Sequence, residues 1–170
     1  MVGNSPTLMA DIVAIFQEET NTVKDAAGIV SSCVFQPITT DMTSHFSRNG
    51  GNALGLAGQG PLNRKCRPSA RSSVIRSLTL IVINIDISWS DAADDTRILA
   101  AAASIVSRSN ATAYSQGLGN KFLYQNYASF EQDVFPSYGA ANLAKLRAVS
   151  AKYDPLKVWQ KLQPGYFKVG

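Results

Sequence analysis

Hydrophobic residues near the start of the chain recur every three or four positions. The residues Ser5-Pro6 come just before this pattern, and a serine N-cap followed by proline in the first turn is typical of a helix start. The spacing predicts a helix that ends near residues 20–22. Its apolar positions are Leu8, Ile12, Ile15 and Phe16, with Met9 and Val13 beside them.

Two later stretches have the pattern of β-strands. Residues 29–35 follow Gly28, are mostly apolar and are predicted to stop at Pro37, which cannot donate a ladder hydrogen bond. Residues 78–89 are the strongest strand candidate, because apolar and polar residues alternate strictly in their second half. One face would carry Ile83, Ile85, Ile87 and Trp89, and the other Asn84, Asp86 and Ser88. The first face is expected to pack into a core.

The polar face of this second strand allows two interpretations. An amide, a carboxylate and a hydroxyl group in a row, at Asn84, Asp86 and Ser88, are typical of a sheet face in contact with water. The same three groups would also serve as the polar floor of a substrate cavity. The alternation by itself does not choose between the two.

A long helix is predicted after this strand. Ser90-Asp91 is a capping sequence, and Asp94 and Asp95 in the first turn have the charge that the helix dipole favours. The helical face comprises Ile98, Ala102, Ile105, Ser109 and Ala113, joined by Leu99 and Val106. The pattern reaches Gln116, and the glycines at 117 and 119 end the helix.

The last fifty residues are rich in aromatic side chains. Residues 122–127 have a strand pattern, and Ser137 is predicted to cap a helix over residues 138–152. The buried stripe of that helix would be Leu143, Leu146, Val149 and Tyr153. Asp154-Pro155 is predicted to end this helix. Because residues 158–167 are rich in aromatic side chains, we expect them to be packed against the protein and not free. The order of elements predicts an α+β fold: an antiparallel sheet with covering helices, followed by a helical, aromatic C-terminal tail.

The residues Tyr124-Gln125-Asn126-Tyr127 stand at the centre of these aromatics. Several aromatic side chains around one asparagine would suit a wall that packs against a flat or large group. An ordinary aromatic core cluster is the alternative, and composition alone favours it.

Composition limits the functions that the chain could have. A chain of 170 residues is most simply one domain with one substantial core. Only 16% of its residues are charged, against about 25% in average soluble chains. Part of the surface is therefore expected to be covered by a partner or another domain.

The net charge of +4 depends on five basic residues between 63 and 76, and without them it is −1. We therefore place the basicity in one loop and expect no nucleic-acid partner.

The residues of hydrolases and metalloproteins are nearly absent. His45 is the only histidine, and neither Cys33 nor Cys66 lies near it in a motif, so no metal site or catalytic triad is expected. Whether the two cysteines form a disulfide is left undecided by the sequence.

The glycine-rich loop 48–56 lacks both the dinucleotide fingerprint and the Walker lysine, so a plain turn is favoured over a phosphate cradle. We see no secretion signal, and no apolar stretch approaches the roughly 20 residues that cross a bilayer, so no membrane partner is expected.

Several motifs in a fixed order resemble a known family. Three motifs are Y-x-N-Y at residues 124–127, Y-G-x-x-N-x-x-x-L at residues 138–146 and K-Y-D-P-x-x-V at residues 152–158. A fourth motif is formed by residues 164–168 at the end of the chain. Three further matching stretches lie upstream, at residues 35–38, 50–56 and 88–95. Together they look like the C-terminal portion of fungal FAD-linked oxidases, the berberine bridge enzyme-like members of the vanillyl-alcohol oxidase group. The resemblance covers nearly the whole chain.

The resemblance implies a cofactor and a set of site residues. The cofactor would be FAD, which takes hydride from a small-molecule substrate, in enzymes expected to serve fungal secondary metabolism. Tyr124, Asn126 and Tyr127 would lie beside the flavin. The strand that ends at Trp89 would line the substrate cavity with Asn84 and Ser88, and Asp86 would be its only carboxylate base. Relatives of this kind are often secreted.

The resemblance also implies what this sequence lacks. Residues 1–120 would be part of a substrate-binding domain and residues 121–170 a tail next to the flavin, while the N-terminal FAD-binding domain is absent. The chain alone is therefore not expected to hold FAD tightly or to be active, and it would need a separate FAD-binding half. A non-catalytic remnant is the alternative. The basic residues 63–77 have no counterpart in the family, and a translated intron is one hypothesis for them.

Overall fold

The computed structural model describes residues 1–56, 78–165 and 167–169, and these residues form an α+β fold. The basic stretch 63–77, Cys66 and Tyr166 lie outside the described residues. The described elements are α1 (Pro6–Asn21), β1 (Val30–Thr39), α2 (Thr40–Ser44), β2 (Leu78–Ser88), α3 (Asp95–Ser115), α4 (Ala140–Tyr153) and α5 (Val158–Leu162), with short 3-10 helices at His45–Gly50, Ala92–Asp94, Gln125–Tyr127 and Phe135–Tyr138. The predicted fold class is confirmed.

The chain divides into two compact units. The first unit contains residues 1–39 and 61–120, and the second contains residues 40–60 and 121–170. The glycine-rich loop therefore groups with the C-terminal helices, although the long strand β2 lies between them in the sequence.

The sheet of the first unit is an antiparallel pair of β1 and β2. Val30 lies opposite Ser88 and Cys33 opposite Ile85, and an irregularity follows Ile38. The prediction that the first strand stops at Pro37 is wrong, because β1 continues through Pro37, which pairs with Ile81. An edge strand tolerates proline, since half of its N–H groups point away from the neighbouring strand.

The helices cover one face of this sheet. One buried cluster is formed by Val2, Leu8, Ile12, Ile81 and Ala113, with Cys33, Phe35, Ile83 and Leu118 packed against it. A second buried cluster is formed by Val23, Ala26, Ile98 and Ala101, with Ile29, Ile87 and Trp89 against it. The predicted core face of β2 is confirmed by Ile83, Ile87 and Trp89. On α3, Ala101 and the predicted Ala113 are buried, whereas the predicted Ala102 is only half-buried.

Helix α1 begins and ends as the sequence predicts. The Ser5 hydroxyl accepts a hydrogen bond from the Leu8 N–H (3.3 Å), so Ser5 is the N-cap. A polar seam then joins α1 to α3, where Arg108 contacts Glu18 and Glu19, each at 2.6 Å. Ser104 also donates to Glu19 (2.7 Å). Hydrogen bonds from Arg108 and then Ser104 hold the pKa of Glu19 below its usual value.

Two predictions for the C-terminal fifty residues are wrong. Residues 122–127 form no strand but an irregular segment that ends in the 3-10 helix Gln125–Tyr127. Ser137 does not cap α4, which begins at Ala140 after Gly139. Instead, the Ser137 hydroxyl accepts from the Leu123 N–H (3.0 Å) and donates to the Val134 carbonyl (2.5 Å). The Leu123 N–H is therefore bonded to a side chain 14 positions along the chain and not to a neighbouring strand.

The predicted buried stripe of α4 is also wrong. No residue of α4 is buried, and Val149 and Tyr153 are exposed while Leu143 and Leu146 are half-buried. Helical spacing identifies a face but not what covers it, and the described residues cover little of the surface of α4.

Candidate functional site

The polar residues of β2 lie on the sheet face opposite the helices. The Asn84 amide nitrogen donates to both carboxylate oxygens of Asp86, each at 2.9 Å. Asp86 and Ser88 are exposed, and Asn84 is half-buried. The pairing of β1 places Val34 opposite Asn84 and Val30 opposite Ser88. The structure thus brings the predicted substrate-side residues together on one face, next to apolar side chains.

This face carries exposed apolar side chains beside its polar ones. Val30 is 67% exposed and Val34 is 44% exposed. The carboxylate of Asp86 is an acceptor of hydrogen bonds or of a proton, and the amide of Asn84 fixes its orientation. The two interpretations of the face, solvated surface or substrate floor, both remain compatible with this geometry.

Tyr124, Asn126 and Tyr127 form one compact turn in the second unit. The rings of Tyr124 and Tyr127 meet edge to face, with centroids 5.0 Å apart at 87°. The Asn126 amide nitrogen donates to the Tyr124 hydroxyl (3.1 Å), and the Tyr127 N–H donates to the Tyr124 carbonyl (3.0 Å). Asn126 and Tyr127 are exposed. The three predicted cofactor residues therefore contact one another and present an aromatic edge and an amide outward.

A second set of aromatic residues in the same unit forms a buried cluster. Phe122 stacks on Tyr138 with ring centroids 5.2 Å apart, and Phe135 meets Tyr138 edge to face at 5.9 Å. Phe122 and Tyr138 are buried. Burial raises the pKa of Tyr138, against a hydrogen bond with the backbone of Gln125. The aromatic residues thus divide between an ordinary core cluster and an exposed turn held next to it.

The glycine-rich loop packs against the start of α4. Gly55 has a φ of +73°, and a side chain there would meet the Tyr138 carbonyl oxygen and the Asn142 amide nitrogen. The Asn142 side chain donates to the same carbonyl (2.9 Å). An open groove of about 340 Å³ lies beside this contact, lined by Phe46, Ser47, Gly50, Gly51, Asn52, Gly55, Asn142 and Lys145. Sequence reasoning missed this groove, although the glycines of the loop were its signal.

Histidine and cysteine contribute no catalytic arrangement in the described residues. The His45 imidazole lies 3.8 Å from Asp41 on an exposed helix. Cys33 is half-buried and has no disulfide partner among the described residues, and burial raises the pKa of its thiol. Within residues 1–56, 78–165 and 167–169, no group of three potential metal ligands is assembled. Among the same residues, none of the helices combines the length and apolar character that crossing a bilayer requires.

Known proteins similar to this chain are mostly flavin enzymes of fungi. No protein-family model and no solved structure matches the chain. The chain is 33% identical over 135 residues to FAD-dependent monooxygenase FUP4 of Fusarium proliferatum, a match that covers 79% of this chain and 23% of that protein. It is 41% identical over 90 residues to FAD-dependent monooxygenase sdcF of Emericella nidulans, covering 53% of this chain and 19% of that protein.

Another relative has a different name. Oligopeptidase PhomG' of Diaporthe leptostromiformis is 30% identical over 149 residues, covering 86% of this chain but 11% of that protein. The chain spans less than a quarter of the length of each of these three relatives. The similarity therefore shows a segment shared with fungal FAD-dependent monooxygenases.

Proposed function

We propose that this chain forms the substrate-side part of a FAD-linked oxidoreductase of the berberine bridge enzyme-like type, acting in fungal secondary metabolism. The observation that carries the proposal is the match to FUP4, a FAD-dependent monooxygenase, over 79% of this chain. In this proposal residues 1–120 belong to a substrate-binding domain and residues 121–170 to a tail next to the flavin.

The turn at Tyr124, Asn126 and Tyr127 fits one part of FAD. An exposed aromatic edge and an amide suit the edge of a planar ring system, since the amide has four hydrogen-bonding positions and Tyr124 uses one of them. The glycine-rich loop 48–56 lacks the dinucleotide fingerprint, so we assign no pyrophosphate contact to it. When bound, FAD would supply the acceptor for a hydride from a substrate carbon. The rest of its binding site would come from a separate flavin-binding part.

The polar face of β2 supplies the substrate side of the proposal. Asp86 would accept the proton of a substrate hydroxyl group as its carbon loses hydride, and Asn84 would hold the Asp86 carboxylate in place. Ser88 would bind a polar group of the substrate. The valines at 30 and 34 would contact its apolar part.

The test is whether this chain changes the environment of a bound flavin. The full chain is added to the flavin-loaded part of FUP4 that lies outside the matched segment, and the visible flavin spectrum is recorded. We expect a spectral shift that Tyr127→Leu abolishes and Tyr114→Leu preserves, because Tyr114 is an exposed tyrosine of α3. An unchanged spectrum with the wild-type chain would favour the non-catalytic remnant. If turnover is obtained, labelled oxygen gas would distinguish oxygen insertion from simple oxidation.

A further inference from the structure

A short polar motif of α3 has no part in the proposed function. Residues Asn110-Ala111-Thr112 have the pattern N-x-T with a residue other than proline in the middle, which is the acceptor sequence for N-linked glycans. None of the other asparagines in the sequence is followed two positions later by serine or threonine. The motif therefore defines a single candidate modification site.

The Asn110 side chain lies on the solvent-facing side of α3. Asn110 and Ala111 are exposed and Thr112 is half-buried, while Ser109 and Ala113 bury the opposite side of the same turn. Within residues 1–56, 78–165 and 167–169, the Asn110 amide makes no hydrogen bond. A sugar attached to its nitrogen would therefore reach solvent without displacing a contact of the described residues.

The exposed face around Asn110 is uncharged and partly apolar. Val106 lies one turn before Asn110 and Tyr114 one turn after it, and their exposed fractions are 37% and 56%. The nearest charged residue along the helix is Arg108, whose guanidinium is paired with two glutamates of α1. A bulky, hydrated glycan would make this face more soluble.

The helical conformation of the motif determines when a glycan could be attached. A buried residue recurs at every turn of α3 from Ile98 to Ala113, so opening the folded helix at Asn110 would disturb packing along its length. Attachment would therefore precede the folding of α3, while the motif is still accessible. The folded helix then has to accommodate the glycan, and the exposure of Asn110 allows this.

We propose that Asn110 is the attachment site of an N-linked glycan in a chain that enters the endoplasmic reticulum, and that the folded protein carries this glycan without loss of stability. The donor would be an oligosaccharide joined to a lipid through pyrophosphate. The amide nitrogen of Asn110 forms a bond to the first sugar carbon and loses a proton, as the bond from that carbon to the pyrophosphate oxygen breaks. The lipid pyrophosphate is the leaving group. The proposal does not depend on the proposed function.

The attachment is tested by translating the full chain, behind a cleavable secretion leader, in the presence of microsomes from the endoplasmic reticulum. We expect the protease-protected wild-type chain to gain the mass of one glycan, which peptide N-glycosidase removes while converting Asn110 to aspartate. Asn110→Gln and Thr112→Ala should abolish the gain, whereas Thr112→Ser should keep it, because serine is also accepted at that position. Asn21→Gln, at an exposed asparagine outside any acceptor sequence, is the matched control and should keep it as well.

Three results would overturn the assignment of Asn110. The first is a protease-protected wild-type chain without an added glycan. The second is a glycan that the Asn110→Gln variant retains. The third is a glycan that peptide N-glycosidase leaves in place, since such a glycan is attached to oxygen. Because glycosylation is measured in the microsomes, none of these results requires that a variant fold.

Tolerance of the glycan is tested by circular dichroism melting of chain secreted from yeast and of unglycosylated chain made in bacteria. We expect the glycosylated wild type to melt at the same temperature or higher. The control moves the same triplet to the buried side of α3, as Ala101→Asn with Ala103→Thr in an Asn110→Gln background, since Ala101 is 5% exposed. There the glycosylated form should melt lower than the bacterial form, because the core has no room for a sugar. An equal loss with the glycan at Asn110 would overturn the proposed tolerance.

Discussion

The backbone of Gly55 lies against the carbonyl oxygen of Tyr138, at a distance that leaves no room for a side chain. This contact joins two separate motifs of the sequence, the glycine-rich loop and the tyrosine-glycine start of α4. The Asn142 side chain completes it by donating to the same carbonyl. The glycine is needed there both for its positive φ and for this close approach.

Replacing Gly55 by alanine should destabilise the second unit. The φ of +73° strains any other residue, and the added methyl group meets the Tyr138 carbonyl and the Asn142 amide. Gly50→Ala is the matched control, because its φ is +90° in the same loop but its side chain would enter open space. We expect Gly55→Ala to lose about 1–3 kcal/mol more than Gly50→Ala in urea unfolding. Equal losses would show that backbone strain alone acts at Gly55.

Replacing Asp154 by alanine should loosen α5. Its carboxylate accepts hydrogen bonds from the first N–H groups of that helix, those of Val158, Trp159 and Gln160. Loss of such a cap costs about 2 kcal/mol, and hydrogen exchange at these amides should become faster. Asp133→Ala, at an exposed aspartate of the same unit, is the control and should leave the exchange unchanged. Protection equal to that of the wild type would contradict the capping role.

The ionisation of Glu19 should make the free energy of unfolding depend on pH. Its pKa is lowered by hydrogen bonds from Arg108 and Ser104, so the ionised form is favoured in the folded state. The stabilisation is present above the usual glutamate pKa of about 4.3 and is lost as the pH falls through the lower folded-state value. Glu19→Gln should therefore give a flatter dependence of the unfolding free energy between about pH 3 and 6.

A second glutamate provides the control for that measurement. Glu131 is exposed, and its carboxylate has no ion pair in the part of the chain that the structure describes. Glu131→Gln should keep the wild-type slope. A slope in Glu19→Gln as steep as in the wild type would contradict the role of the Arg108 contact.

Cys33 should react slowly with alkylating reagents. Burial raises the pKa of its thiol, which leaves less thiolate at pH values near 8 than an exposed cysteine has. In a Cys66→Ser variant, iodoacetamide should label Cys33 more slowly in the folded than in the urea-unfolded chain. Equal rates would contradict the burial. In the wild type, thiol counting under the same conditions shows whether the two cysteines form a disulfide.

The sequence by itself determined the elements whose pattern is local. Helix α1 follows from the capping residues Ser5-Pro6 and the apolar repeat after them, and the alternation of β2 identified both its core face and its polar face. These features depend on neighbours a few positions apart, which is why spacing suffices to predict them. The same spacing could not tell whether the polar face at Asn84 and Asp86 is in contact with solvent or lines a substrate cavity.

Tertiary structure decided which distant segments belong together. The Leu123 N–H bonds to the Ser137 side chain where a strand was predicted at 122–127, and the loop at 50–56 joined the C-terminal helices. The division also changes the charge pattern: the described residues of the first unit carry eight acids and three bases, and those of the second carry four acids and eight bases. Without the basic stretch the chain appeared nearly neutral, because a sum along the sequence cancels the opposite net charges of the two units.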